Sequence, residues 1–362
     1  MYECQLSTIL CYIATSNPVM SPEIREGGPR GIAWRQSLLD VRDLTVSFRV
    51  GSGHVAVTRD VGFRIAAGER LGVVGESGCG KTVTGLSILG LLPRRMSQVS
   101  GRILFEGEDL IRMPAAKLRA IRGRRIGMIF QEPMTALDPV FTVGEQIAET
   151  WRTHFPQQRE EARERAIDAL AKVGIPLPAR RVDEYPHQLS GGMRQRVMIA
   201  MALICEPSLL IADEPTTALD VTVQAQITDL LRELSESAGT ALMFITHDLG
   251  VVAETCTRML TMYAGQVVED APVDAALVRP FHPYTSGLLR SLPRLAPRRG
   301  ALPSIPGRVP QPAHMPPGCR FKDRCPHALD ECAAPQVLRE LEPGRFVRCV
   351  RAEALELPGA VG

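Results

Sequence analysis

Between Leu38 and Ala264, short apolar runs alternate with stretches whose apolar residues recur at helical spacing. The runs Arg70–Val74, Arg125–Phe130, Leu209–Ala212 and Ala241–Thr246 are nearly continuous in apolar side chains and end in polar or small residues. That is the pattern of a strand buried on both faces that delivers a loop at its C-terminal end. Alternation of such strands with helices predicts an α/β fold with a largely parallel sheet. The stretch Leu39–Phe63 alternates apolar and polar residues, which predicts an antiparallel sheet at the edge of the core. From Val143 to Ile204 the period turns helical. Over Gln158–Val173, for example, Ala162, Ala166, Leu170 and Val173 share one face. A helical subdomain at about 140–205, inserted into the α/β core, is expected.

Periodicity is lost at both ends. Residues 1–37 read as an irregular extension. Their short apolar patch, Leu6 to Ala14, is led by Glu3 rather than by basic residues, so a secretory leader is not expected, and Met20 is an alternative start. Past Asp270, eleven of the 28 prolines lie between Pro272 and Pro317, which predicts an extended, linker-like segment wrapping the core. The expected organisation is an extension (1–37), an α/β domain (38–271) and a proline-rich tail (272–362).

Composition sharpens this by exclusion. The chain has 362 residues, 45% hydrophobic and 23% charged, with a formal net charge of +2. Disorder throughout and a broad nucleic-acid-binding face are both excluded. No apolar run reaches the length of a membrane span; the best, Val197 to Ala212, is broken by Glu206-Pro207. Nine cysteines without a secretory leader argue against a disulfide framework. Four of them, Cys319, Cys325, Cys332 and Cys349, fall in the tail. Only four of the 42 basic residues are lysines, which draws attention to Lys81 inside a glycine-rich motif.

The segment Gly75-Glu76-Ser77-Gly78-Cys79-Gly80-Lys81-Thr82 matches G-x-x-x-x-G-K-[ST] between a strand and a helix expected over Thr84–Leu92. Its glycines let backbone N–H groups converge on phosphate oxygens at a helix N-terminus. Lys81 would bridge β- and γ-phosphates, and the Thr82 hydroxyl would ligate Mg²⁺. Thr84, in the first turn, is placed with the nucleotide set. The plain alternative, a glycine-rich turn, does not account for the strand–loop–helix context. The run Leu209–Ala212 ends in Asp213 and Glu214. Asp213 is expected to hold Mg²⁺ through water, and Glu214 to polarise the attacking water as general base. Leu189-Ser190-Gly191-Gly192-Met193 opens a helix running to Leu203. This is either an ordinary N-cap or a second anion site, and a second site in a chain with one phosphate loop suits a nucleotide bound to another subunit.

In this order of motifs the sequence resembles the ATP-binding subunits of ABC transporters over Leu38 to Ala271. Gln131, Asp220 in Ala218-Leu219-Asp220, and His247 in Ile245-Thr246-His247-Asp248 complete the series. The resemblance implies a P-loop NTPase core and a dimer. Each ATP would lie between one subunit's phosphate loop and the other's Ser190-Gly191-Gly192. It also implies that Gln131 senses Mg²⁺ and the nucleophilic water and that His247 contacts the γ-phosphate. Phe48 stands where the family places an adenine-stacking aromatic, and it reads equally well as a sheet-core residue. Met193 departs from the Gln common at that place.

Several further segments resemble the ATPases of oligopeptide and dipeptide importers, a branch that includes relatives handling nickel or glutathione. They are 130–139, Glu184-Tyr185-Pro186-His187-Gln188, His282-Pro283-Tyr284-Thr285, and Gly318-Cys319-Arg320-Phe321-Lys322-Asp323-Arg324-Cys325-Pro326. The four tail cysteines lack the close C-x-x-C pairs typical of zinc. Their wide spacing, the proline after Cys325 and the neighbouring Arg320, Lys322 and Arg324 suit an anionic iron–sulfur cluster. The family association is with a 4Fe–4S centre, and Zn²⁺ and free thiols remain the alternatives. The resemblance further implies two membrane permease subunits, a second ATPase in a homo- or heterodimer, an external solute-binding protein and a place on the cytoplasmic face of the inner membrane. ABC-type ATPases of DNA repair share the nucleotide motifs, but the interval Thr82 to Ala212 has neither heptads nor paired cysteines.

Overall fold

The computed structural model describes residues 37–131, 136–217, 219–292 and 304–360. The N-terminal extension up to 36, Glu132 to Thr135, Ala218 and the proline-rich run 293–303 lie outside the described residues. In chain order the first elements are β1 (Ser37–Val50), β2 (Gly53–Ala66), β3 (Arg70–Val74), α1 (Lys81–Ile88), β4 (Ser97–Phe105), β5 (Glu108–Asp109), α2 (Ala115–Ile121) and β6 (Ile126–Ile129). A helical stretch follows: α3 (Val143–His154), α4 (Ala162–Lys172), α5 (Pro178–Arg181) and α6 (Gly191–Leu203). Next come β7 (Leu209–Asp213), α7 (Val221–Ala238), β8 (Ala241–Thr246), α8 (Leu249–Thr255), β9 (Arg258–Tyr263) and β10 (Gln266–Pro272). The tail adds α9 (Val273–Val278), α10 (Pro283–Arg290), β11 (Arg339–Glu342) and β12 (Arg345–Val347).

Contacts divide the chain into two units. One comprises residues up to Ile65, Leu71–Arg112 and Thr246 onward; the other comprises Ala66–Arg70 and Met113–Ile245. In the first unit, one sheet has the order β2-β1-β4-β5. Strand β1 pairs antiparallel with β4 from Leu39 opposite Phe105 to Phe48 opposite Ser97. The alternation that predicted this sheet is visible as buried Leu39, Val41, Leu44, Val46 and Phe48. The partner β4 escaped notice because its first half is polar and partly exposed. A second sheet in this unit runs β11-β12-β10-β9-β3. Only β3–β9 is parallel there; β9–β10, β10–β12 and β11–β12 are antiparallel. The first sheet is antiparallel in β1–β4 and β4–β5, and the second is mixed rather than largely parallel.

In the second unit β6, β7 and β8 are parallel neighbours, with Ile126 opposite Leu209 and Leu209 opposite Ala241. Every residue of β7 and β8 is buried, as continuous apolar runs require. The expected helical stretch is present. In α4, Ala162, Ala166 and Leu170 are buried together with Ala169, and Val173 follows them into the core. The helix begins at Ala162 rather than Gln158 because a 3₁₀ turn, Pro156–Glu161, precedes it.

Two boundaries differ from expectation for local reasons. Helix α1 starts at Lys81 and stops at Ile88, ended by Gly90 in the left-handed region, whose N–H returns to the Ser87 carbonyl. The proline-rich segment is not uniformly extended, since α9 and α10 lie within it. Pro272 caps α9, and Pro283 occupies the first turn of α10. An N–H is not needed at those positions, so proline begins a helix there instead of breaking one. The tail is also stitched to a core sheet: Glu269 and Asp270 of β10 pair with Val347 and Phe346 of β12. Val347 packs with Phe281 and Ala352 in one apolar cluster. Truncation by Val347→Ala is expected to cost about 2 kcal/mol and lower Tm by about 3 °C. A thermal unfolding curve checks this, and an unchanged Tm would mean that the hairpin contributes nothing to the fold.

Candidate active site

In the first unit β3 runs directly into the glycine-rich loop and then into α1. Gly75 has φ +151°, and a Cβ there would lie 2.2 Å from the Met262 carbonyl oxygen, so no other residue fits. Gly80, in the left-handed region at the N-cap of α1, brings no side chain to the helix's first turn. That leaves the helix end in the form that receives anions. Lys81 is 5% exposed. Its Nζ folds back over the loop, donating to the Gly75 carbonyl at 2.8 Å and the Glu76 carbonyl at 3.3 Å. Ser77 and Gly78 are exposed at the crest and Cys79 is buried. Burial pushes the Cys79 thiol up, with Lys81 opposing. Thr84 is a correction to the nucleotide set: its buried hydroxyl donates to the Gly80 carbonyl at 2.9 Å inside the helix. Phe48 is another, because its ring is fully buried in the sheet core and offers no face for stacking.

In the second unit β7 ends at buried Asp213. The next residue, Glu214, has φ +45°, a strained conformation for a side-chain-bearing residue and one that concentrates at functional sites. Its N–H donates to the Ile245 carbonyl at 2.9 Å. Its carboxylate accepts from Gln131 Nε2 at 3.3 Å and Thr217 Oγ1 at 2.9 Å. Two residues 83 positions apart in sequence are thus brought together. Thr217 was not anticipated from sequence, although a residue three positions after Glu214 is within reach of its carboxylate. At α6, Ser190 caps the helix, its Oγ accepting from the Met193 N–H at 3.3 Å. Ser190 and Gly191 are exposed and Gly192 is half-buried, close to Val223. Asp220 caps α7, accepting from the Val223 N–H at 3.0 Å. His247 is exposed just after β8.

In the tail, Cys319, Cys325, Cys332 and Cys349 line one cavity with His282 and Phe321. The Cys319 N–H donates to the Cys332 carbonyl at 2.9 Å. Burial raises the Cys319 and Cys349 thiols to about 11 and pushes Cys325 up as well. Among the described residues, no three His, Cys, Asp or Glu side chains stand close enough to hold a metal ion. The set converges without closing. Of the basic neighbours, Lys322 lines the cavity, whereas Arg320 and Arg324 are bonded elsewhere. Arg320 donates to the Ala264 carbonyl, and Arg324 forms a bidentate pair with Glu76 at 2.7 and 3.0 Å.

Over 58–217 the chain matches the ABC transporter family, and over 268–332 the oligopeptide/dipeptide transporter C-terminal region. A Sinorhizobium fredii protein, named a probable peptide ABC transporter ATP-binding protein, is 53% identical over 87% of this chain and 95% of its own length. The chain belongs to the ABC transporter ATP-binding family. A Brucella abortus relative named for peptide import and ATP binding is 51% identical over 86% of this chain and 94% of its own. Among solved structures, the dimeric ATP-binding cassette MJ0796 bound to ADP and Pi aligns with a TM-score of 0.58. The identity is 27%, covering 65% of this chain and 98% of the other. The cassette cbiO1 from Clostridium perfringens, part of the ABC transporter complex cbiONQ, aligns at 0.57 with 28% identity, covering 67% of this chain and 91% of the other. The fold is that of an ABC cassette, and no helix among the described residues is long and apolar enough to cross a membrane.

One further group bears on the stability of this ABC ATPase. His282 is fully buried; its Nδ1 accepts from the Tyr284 N–H at 3.0 Å, while Nε2 has no partner. Burial, with Arg348 adding to it, drives the imidazole down to about 3. An unfolded histidine titrates near 6.5, so on acidification the unfolded chain takes up this proton first. His282 therefore gives its full stabilisation above about pH 6.5 and loses it progressively toward pH 3. The nearby Glu269, raised by burial, acts with the opposite sign. In His282→Gln, the loss of stability between pH 7 and pH 5 should be smaller than in the wild type by about 2 kcal/mol. Denaturant titrations at the two pH values measure the difference.

Proposed function

We propose that this chain is the ATP-hydrolysing subunit of an importer of dipeptides and oligopeptides. It would work on the cytoplasmic face of the inner membrane with two permease subunits, a second ATPase subunit and an external solute-binding protein. The observation that carries this reading is the union, in one chain, of an ABC cassette with the oligopeptide/dipeptide C-terminal region, shared with relatives named for peptide import. The loop amides of 75–80 and Lys81 would take the ATP phosphates. Thr82 and Asp213 would hold Mg²⁺, which supplies charge neutralisation on the phosphate oxygens. Glu214 would accept the proton of the attacking water, and Gln131, already bonded to it, would orient that water. His247 would steady the γ-phosphate, and Ser190, Gly191 and Gly192 would serve the ATP held by the partner ATPase. Asp220 would fix the segment that follows Glu214.

Removing the base separates binding from chemistry. Glu214→Gln should keep Mg·ATP binding and lose at least about 100-fold in turnover. The assay is phosphate release together with ATP-driven uptake of a labelled dipeptide into vesicles carrying the permeases. Uptake that persists in the variant, or a wild type that moves no peptide, would defeat the proposal.

The four cysteines we assign to a 4Fe–4S centre. Four thiols facing one cavity support it. When bound, such a centre supplies four covalent ties to a tail with little core of its own. Cys325→Ser should lower bound iron and acid-labile sulfide together, as quantified on anaerobically purified protein. Zinc in the wild type, or unchanged iron in the variant, would refute the assignment.

A further inference from the structure

We propose that the tail braces and neutralises the phosphate loop, with Arg324 and Tyr284 as positioning residues acting through Glu76. The inference rests on the reading of 75–82 as the nucleotide site. A carboxylate inside a phosphate-binding loop is an electrostatic liability, since it repels the polyphosphate that the loop must receive. Arg324 removes that charge. Its guanidinium donates to both Glu76 oxygens, and its own side chain is only 5% exposed. In such shielded surroundings a bidentate pair is held strongly. The remaining donors are spent on main-chain and phenol oxygens: Nε on the Pro306 carbonyl at 2.9 Å, Nη2 on Ile305 at 3.2 Å and Nη1 on the Tyr263 hydroxyl at 3.4 Å. The same loop residue is gripped a second time, its N–H donating to the Tyr284 hydroxyl at 2.8 Å.

Both grips emerge from one packed cluster. Tyr263, Tyr284 and Phe321 are buried with ring centroids 4.6 to 5.4 Å apart, and Cys319 and Cys325 pack against them. A third strut lies on the loop's other flank. There the Gly265 N–H donates to the Cys79 carbonyl at 3.0 Å, and Arg320 holds the adjoining Ala264 carbonyl. Order in the cysteine-bearing segment 319–325 and order in the phosphate loop are therefore one property. Because coupling in binding free energy is reciprocal, ATP must stabilise the tail as much as the tail favours ATP.

The test uses the full-length chain and Mg·ATP. Arg324→Gln, which removes the charge and keeps hydrogen-bonding capacity, should weaken ATP binding about tenfold while leaving turnover at saturating ATP within about twofold. Adding Glu76→Gln to that variant should restore most of the affinity, because the uncompensated carboxylate is then gone. A merely structural role for Arg324 would give no such rescue. In the wild-type chain, Mg·ATP should slow amide exchange across 319–325. Wild-type affinity in Arg324→Gln, a double variant no better than the single, or exchange across 319–325 indifferent to ATP would each overturn the brace. Tyr284→Phe, which deletes one hydroxyl, takes the place of any variant that fails to fold and should raise KM without lowering kcat. A wild-type chain that binds no Mg·ATP would overturn the site reading and the brace together.

Discussion

A buried guanidinium has five N–H donors, and each one left unsatisfied away from water is costly. Four such groups, Arg320, Arg324, Arg345 and Arg348, lie buried in the tail. Arg320 reaches the carbonyl of Ala264, Arg324 those of Ile305 and Pro306, and Arg345 that of Arg279. Arg348 spans the carbonyls of Val267, Gln336 and Asp60. Arg320 and Arg348 thereby fix a tail with only small apolar clusters of its own to Asp60, Ala264 and Val267 of the cassette, while the carbonyls taken by Arg324 and Arg345 tie the tail to itself. Burial and mutual repulsion lower Arg320 to about 10. Even so, it stays charged at neutral pH, and the carbonyl dipoles remain its counterweight. Lysine could not substitute, since its ammonium lacks the planar fork that reaches several acceptors at once.

The proposed nucleotide site follows a different logic, in which the candidate residues stand at strand ends. Strands β3 and β7 each terminate where a special backbone conformation begins, glycine at 75 in one case and a left-handed Glu214 in the other. Strain at Glu214 is held by its main-chain bond to Ile245 and by Gln131 and Thr217 on its carboxylate.

Much of this was legible in the sequence because it is local. The phosphate loop, the Asp213-Glu214 pair and the Ser190 cap are contiguous motifs whose spacing encodes their geometry, and the buried strands announce themselves as apolar runs. The tail was not legible. Strands β11 and β12 span four and three residues, mostly charged, and carry no readable period. Prolines at helix starts resemble prolines that forbid helices until capping is known. Arg320 and Arg324 adjoin cysteines in sequence, yet their partners lie 56 and 248 positions away. Phe48 had two readings that only burial could separate. Local pattern reports what a segment forms, and long-range pairing decides what it touches.

Anchoring on main-chain carbonyls has an evolutionary side. Every residue type presents the same carbonyl, so a substitution at Ala264, Val267, Arg279 or Ile305 leaves in place the acceptor that its arginine uses. Correlated substitution, the usual trace of two surfaces that meet, would leave little mark at these acceptors and would gather at side-chain pairs such as Arg324–Glu76. The tail's attachment is written into the path of the chain, and a lineage could exchange many of its core side chains while keeping it.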